Sequence, residues 1–576
     1  MNSRISGQQF KGLLFVQSLF ALILAAPEVA EAIDIKDTNY PIPNGAYFVS
    51  PNGKDSNSGK TPDSPWPVAK AIKSAPSEST IVFRGGTYRN ISANINKKLT
   101  LQAYPHEKPW LKGSTKVENW VADGGRWRKD GWNYSFPIKE SGRAINSKYP
   151  MAGRTDMVYI NGVSLKQVAS KAKVKHGTFY VDHAKNKLYI GDNPAGKTVE
   201  ATALKRGFNL WQGKGANPRG TMVRGLGFAH YAHQGVEVQA PQVKLEDNTF
   251  VWNGIQGVAL WGQGKSPDAI VRGNTFSYNG RVGLEVNSAD RMLMENNTFS
   301  HNNVERFAMS WSAAGVKVTK TNQLTWRHNR VEHNFATGMW LDDSTTNATV
   351  VKNTVRSNSS IGIQFELSHK GIVAGNVVTN NGAGIMIADS SDIRVYNNTL
   401  AMNDQHLVIK DSQRKNTKAA EVDDGIAWVT RNNVFKNNIL SNATGSTLVE
   451  AVECSGRQHS KQMITDSDYN AYYRKSSSKP QNLIKWSLGK GKCLVGYDSI
   501  ATFESATGFE ENALVVENVA SNPFFVDEAN GDFRLKANSS AIGRGEALPT
   551  DIATAIGLPS GVPVDLGALQ SKVVLE

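Results

Sequence analysis

"GMWLDDSTTNATVVKNTVRSNSSIGIQFELSHKG", residues 338–371, repeats itself after 24 residues. Gly338-Met339-Trp340-Leu341-Asp342 lies over Gly362-Ile363-Gln364-Phe365-Glu366, with glycine on glycine, apolar on apolar and carboxylate on carboxylate. The same cadence extends in both directions. "NTFVWN" begins at Asn248, "NTFSYN" at Asn274, "NTFSHN" at Asn297, "NRVEHN" at Asn329, "NTVRSN" at Asn353, "NVVTNN" at Asn376, "NTLAMN" at Asn398 and "NVFKNN" at Asn433. Successive first asparagines are 26, 23, 32, 24, 23, 22 and 35 residues apart. Self-similarity at such a period marks a solenoid.

Between the asparagines, apolar residues alternate with polar ones, as in Val282, Leu284 and Val286. Period two means strand, not helix. A unit of about 23 residues with two or three short strands is one turn of an all-β parallel β-helix, each turn pairing with the next at about 4.8 Å. Asparagine suits the corners because it tolerates left-handed backbone and bonds its counterpart in the next turn. The "NNT" sequons are therefore read as a structural ladder. Two turns are overlong, with excess residues placed at 312–322 and 411–425. Both are expected to follow the same strand, the one ending at Ser310 and at Lys410, and to wall a cleft.

The bulk numbers fit an array. The chain has 576 residues, 51 of them glycine, and a solenoid of that length needs no central core. Arg4 and Lys11, the apolar run "LLFVQSLFALILAA" and "AEA" at 30–32 read as an export signal over residues 1–32, too short to span a bilayer. A secreted or periplasmic protein with no membrane span in the mature chain is expected. Cys454 and Cys493 form one bridge or stay as two thiols; the sequence leaves both open. The net charge of +14 suits an anionic polysaccharide or an ordinary solvated surface. Nucleic acid is not expected, since no reading helix or dense basic run is present. Oligomeric state is not legible.

Alternation around Met339 and Leu341 places Trp340 and Asp342 outward, and around Ile363 and Phe365 it places Gln364 and Glu366 outward. The two acids then sit one turn apart on one face, with Asn287 and Ser310 above them and Ala388 and Lys410 below. Asp389 replaces Ala388 if the register slips by one. Like charges opposed on neighbouring strands destabilise a sheet unless something uses or neutralises them. Carboxyls about 5–5.5 Å apart serve a retaining glycosidase, one as nucleophile and the other as acid/base with its pKa raised by its neighbour. The same pair could instead solvate an exposed face or hold a hard cation. Trp340 is a candidate sugar platform, Gln364, His369 and Lys410 candidate substrate-binding residues, and Trp311 a core residue. His301, His328 and His333 show no zinc spacing, so no metal site is expected.

"GMWLD" followed a turn later by "FELSH" resembles the motif of the β-helical β-xylosidases and related β-helix glycosidases. The resemblance implies Asp342 as nucleophile and Glu366 as acid/base; "SHKG" departs from the family's pattern after the glutamate. The opening "YFVSPNGKDSNSGKTPDSPWPVAKAIKSA" is similar to that of secreted right-handed parallel β-helix carbohydrate-active proteins, in which a helix shields the solenoid end. The expected organisation is a cap and first turns over 44–114, an inserted small β domain over 115–205, the central β-helix over 206–453, and C-terminal turns with a packed tail over 454–576. The expected activity is retaining glycoside hydrolysis of a poly- or oligosaccharide without a cofactor. The alternatives are a polysaccharide lyase or C5-epimerase on a uronate polymer, with calcium as its cation if a lyase, and a non-catalytic carbohydrate-binding or envelope protein.

Overall fold

The computed structural model describes residues 33–136, 143–261, 266–412, 414, 426, 428–456, 458–489 and 493–571; the signal expected over 1–32 lies outside them. Three sheets of 13 strands each run the length of the molecule. Their neighbours pair in parallel, with the alternation seen in the sequence setting the register: Val236 lies over Val258, Val258 over Leu284, Leu284 over Val316, Val316 over Met339 and Met339 over Ile363. These side chains are fully buried and form one continuous core. Phe228, Phe250, Phe276 and Phe299 stack along it with ring centroids 5.2, 5.0 and 4.8 Å apart, close to the spacing of the strands that carry them.

Both asparagines of the repeated motif are ladder members. The first ladder runs Asn248, Asn274, Asn297, Asn329, Asn353, Asn376 and Asn398, each side-chain amide donating to the next Oδ1 at 2.9–3.1 Å. The second runs from Asn253 through Asn279, Asn302, Asn334, Asn358 and Asn381 to Asn403. Two expectations are corrected. The left-handed residue at each corner of the second ladder precedes the asparagine: Trp252, Tyr278, His301, His333 and Ser357 have φ between 53° and 56°. The ladder also passes from Asn398 to Asn438, 40 residues on, and not to Asn433, whose amide bonds the Ser390 and Met463 carbonyls.

The helix Val68–Ser74 closes one end, burying Val68, Ala71 and Ile72 against the first turns. Strands between Ser114 and Thr202 form two separate small sheets around Val158, Phe179, Val181, Leu188 and Ile190. At the other end the helix Ile500–Thr507 inserts Ile500 and Phe503 into the main core, and Cys454 and Cys493 are joined in a disulfide. The helix Thr550–Ile556 packs Ile552, Ala553 and Ile556 on the outside of the solenoid, over Val351, Ala374 and Tyr396. Among the described residues, no helix is long and apolar enough to cross a membrane.

The overlong turns differ from the expected arrangement. "AGVKVT" is not loop but the strand Ala314–Thr319, so the first excess, residues 301–313, precedes its strand. The second excess follows the strand Gln405–Lys410. The two therefore leave opposite edges of one sheet.

Candidate active site

That sheet carries the acid pair. The strand Thr337–Asp342 pairs with Ile361–Glu366 through Met339 with Ile363, Trp340 with Gln364 and Leu341 with Phe365, leaving Asp342 and Glu366 as the next positions on adjacent strands. Strand separation is about 4.8 Å, so the two carboxyls share a patch of the outer face. Glycine makes the approach tight: a Cβ on Gly338 would lie 2.8 Å from the Gly362 carbonyl.

Each acid has its own cation. Lys317 Nζ is 2.8 Å from Asp342 Oδ2, and the Asp343 backbone N–H donates to Asp342 Oδ1 at 2.8 Å. Arg414 forms an ion pair with Glu366 Oε1, while Trp340 Nε1 and Gln364 Nε2 donate to Oε2 at 3.0 and 2.8 Å. Burial raises the pKa of Glu366, the negative charge of Asp342 adds to it, and Arg414 and Lys317 pull the other way. Arg414 also binds Asp389 at 2.8 Å, and the charges of Glu366 and Asp389 raise its own pKa against the cost of burial.

Four expected positions are revised. Trp340 faces outward but is only 3% exposed: Lys317 Nζ sits 3.5 Å from its ring centroid and its indole N–H is spent on Glu366, so it orients the acid and is no open platform. His369 begins a strand of another sheet, around the corner from Glu366, where its ring contacts Ser391 Oγ at 2.7 Å and Asp392 at 3.2 Å. Thr319, not Ser310, stands above Asp342, because the strand begins four residues beyond Ser310. Trp311 is 42% exposed, on the loop before that strand, and its carbonyl accepts from Lys317 Nζ at 2.6 Å.

Gln364, expected as an outward substrate-binding residue, is buried, 7% exposed. Gln364 accepts from Thr337 Oγ1 at 3.4 Å while donating to Glu366. Lys410 is exposed in the same column, two strands from Glu366 through Ala388, and Asp389 lies buried beyond the strand end. Among the described residues, no three His, Cys, Asp or Glu side chains cluster as a cation site would need. Sequence reasoning missed Lys317 and Arg414. Gly315, in line with Gly338 and Gly362, was the available signal for Lys317; Arg414 sits in a loop with no repeat to place it.

Of the two overlong turns expected to wall a cleft, the first is described in full; of the second, expected over 411–425, only Asp411, Ser412 and Arg414 lie within the described residues. The loop 301–313 carries Phe307, which packs with Ala152, Ala313 and Ala336, and Ala308 donates to the Ala144 carbonyl at 2.9 Å. On the opposite edge, the segment after Lys410 supplies Arg414. A cavity of about 410 Å³ lined by Thr444, Ser446, Lys479 and Lys485 lies elsewhere, since Lys485 is four strands beyond Gln364. The two acids are largely covered, each side chain being 14% exposed.

Residues 234–400 match the family model "Right handed beta helix region". Superposed on the complex of XylC with xylose, the chain gives a TM-score of 0.61 at 16% identity, covering 84% of this chain and 88% of that one. It is a right-handed parallel β-helix protein. The acid pair of this β-helix protein lies within the matched repeats. Residues 139–309 also match the model "Periplasmic copper-binding protein (NosD)". The uncharacterized protein YwoF of Bacillus subtilis (strain 168) is 22% identical over 543 residues, 91% of this chain and 97% of its own.

Proposed function

We propose that this β-helix protein is a carbohydrate-active enzyme, exported through residues 1–32, that hydrolyses a glycosidic bond with retention of configuration. The observation that carries this reading is the pair Asp342 and Glu366, placed one strand apart, the first against Lys317 and the second against Arg414, Trp340 and Gln364. Retaining chemistry takes carboxyls about 5–5.5 Å apart and inverting chemistry about 6.5–9.5 Å; the position of the two acids on adjacent strands, about 4.8 Å apart in backbone, supports the shorter of the two. Asp342, positioned by Lys317 Nζ at 2.8 Å, attacks the anomeric carbon. Glu366, with its pKa raised, protonates the leaving oxygen; the Trp340 and Gln364 N–H groups and Arg414 then stabilise the carboxylate that remains. Water attacks the glycosyl ester in the second step as Glu366 takes back a proton. No cofactor is needed.

The substrate is a poly- or oligosaccharide, and xylosides are the first to test because the XylC structure holds xylose. A second reading, lyase or epimerase action on an anionic polymer, is favoured by the cations Lys317, Lys410 and Arg414 on the same face. The deciding experiment assays aryl glycosides, neutral glycans and uronate polymers with the parent chain, Asp342→Ala and Glu366→Gln. Hydrolysis predicts new reducing ends without ultraviolet-absorbing unsaturated product, and loss of at least about 10³-fold in kcat for both variants. Unsaturated product sinks the hydrolase reading, and full activity in both variants sinks the site.

A further inference from the structure

The column of outward residues that holds Asp342 continues towards the N-terminal end of the same sheet. Thr319 pairs with Asp342 and Asn287 with Thr319; one strand further, beyond the pair Leu260 and Val286, stands Trp261. Gln239 follows in the same column and pairs with Trp211. Two tryptophans thus stand in one outward column with their indoles partly open to solvent, Trp261 38% and Trp211 46% exposed.

The ring of Trp211 and the backbone of Trp261 are held by neighbours. The Trp211 ring lies against Gly213, where a Cβ would come within 2.9 Å of it, and the chain turns back there through paired bonds between Gly213 and Ala216. Trp261 donates its backbone N–H to Val238 at 2.9 Å, and the buried Ser266 hydroxyl bridges the Val238 and Trp261 carbonyls. Between the indoles and the acids the column is polar: Asn287 Nδ2 donates to Thr319 Oγ1 at 2.9 Å.

We infer that Trp261 and Trp211 are sugar-stacking platforms of a glycan-binding track that runs along the solenoid axis to the acid pair. This rests on the reading of Asp342 and Glu366 as a glycan-cleaving site. The strand spacing of about 4.8 Å is close to the advance of one pyranose in an extended chain, so Trp261 lies about three sugars and Trp211 about five sugars from Asp342. Indole faces suit the C–H surface of a pyranose, while amide and hydroxyl groups suit its edges. The substrate is thus a linear glycan of at least five or six units, not a disaccharide.

The test uses the full chain carrying Glu366→Gln and isothermal titration with two series, linear xylo-oligosaccharides and oligogalacturonates, from disaccharide to octasaccharide. One series should bind more tightly with length, in two steps. Trp261→Ala should weaken the longer oligomers about tenfold or more and leave the disaccharide unchanged, Trp261→Phe should recover most of that loss, and Trp211→Ala should affect only the longest. Affinity independent of length in both series, or alanine variants that bind every length as the parent does, would overturn the track. Because binding is read without turnover, cleavage with no length dependence removes the track and keeps the acids; length-dependent binding in a chain that cleaves nothing keeps the track and removes the hydrolase.

Discussion

Lys317 holds Asp342 and Trp340 together: its ammonium is 2.8 Å from the carboxylate and 3.5 Å from the indole centroid, with the lysine side chain only 8% exposed. A buried pair broken on one side leaves an uncompensated charge, at a cost of about 3–5 kcal/mol. Lys317→Met should therefore lower unfolding free energy by about that amount in urea titrations, and Asp342→Asn added to it should restore most of the loss. Failure of the second change to rescue the first would show that the pair is not what the lysine stabilises.

Glu366 sets the pH behaviour. Its pKa is raised in the folded chain, so the folded state holds the proton more tightly than the unfolded one does. The associated stability is fully present below the ordinary glutamate range and is lost as pH rises through the folded value. Glu366→Gln has no such proton to lose, and its stability relative to the parent should rise over that interval in thermal melts.

The same proton governs the alkaline limb of kcat/KM, because the acid must be protonated in the free enzyme. Arg414 lowers the Glu366 pKa from its place at Oε1. Arg414→Met should move that limb to higher pH on an aryl glycoside, because the charge that lowers the Glu366 pKa is gone. An unmoved limb would detach Glu366 from the profile.

The ladder predicts a contrast between two asparagines. Asn334 accepts from Asn302, donates to Asn358 and to the Phe299 carbonyl, and is fully buried. Asn347 makes an exposed bond to Asn322. Each buried partner left unsatisfied costs about 1–3 kcal/mol, so Asn334→Ala should cost several kcal/mol in a chemical melt, while Asn347→Ala should cost only the strain of alanine at its left-handed φ of 52°, about 1–2 kcal/mol. Equal effects would mean that stability resides in the apolar core alone.

How much of this was legible follows from what repeats. The asparagines, the glycines and the alternating apolar residues recur in every turn because each turn solves the same packing problem, and they gave the solenoid, its period and the column Asp342, Glu366, Ala388, Lys410. What occurs once was hidden. Lys317 lay in a stretch mistaken for loop because the extra residues were counted on the wrong side of the strand. Trp340 looked like an open platform because alternation gives the face and not what covers it. Arg414, bound to an acid from a loop, has no periodic signal at all, and "NVFKNN" misplaced the ladder because two asparagines five residues apart compete for one position.

Glycine at 338 links the repeat to the site. Gly235, Gly257, Gly283, Gly315, Gly338, Gly362 and Gly384 form a column in which a Cβ on each would meet backbone or amide atoms of the next turns; at Gly338 these are the Gly362 carbonyl and Asn358 Nδ2, both at 2.8 Å. Adding the methyl forces the strands apart or displaces the ladder amide, and overpacking of this kind costs about 1–3 kcal/mol. The displacement falls four residues before Asp342, on the strand whose contact with Ile361–Glu366 sets the acid separation. Gly338→Ala should thus lower kcat by more than its loss of stability explains at a temperature where the variant is fully folded. Gly162→Ala, at a surface turn where a Cβ meets nothing within 4 Å, should pay the strain of its φ of 83° without touching kcat. If Gly338→Ala kept the parent kcat, the acids would tolerate a change in strand separation, and the proposed dependence of the chemistry on that spacing would fail.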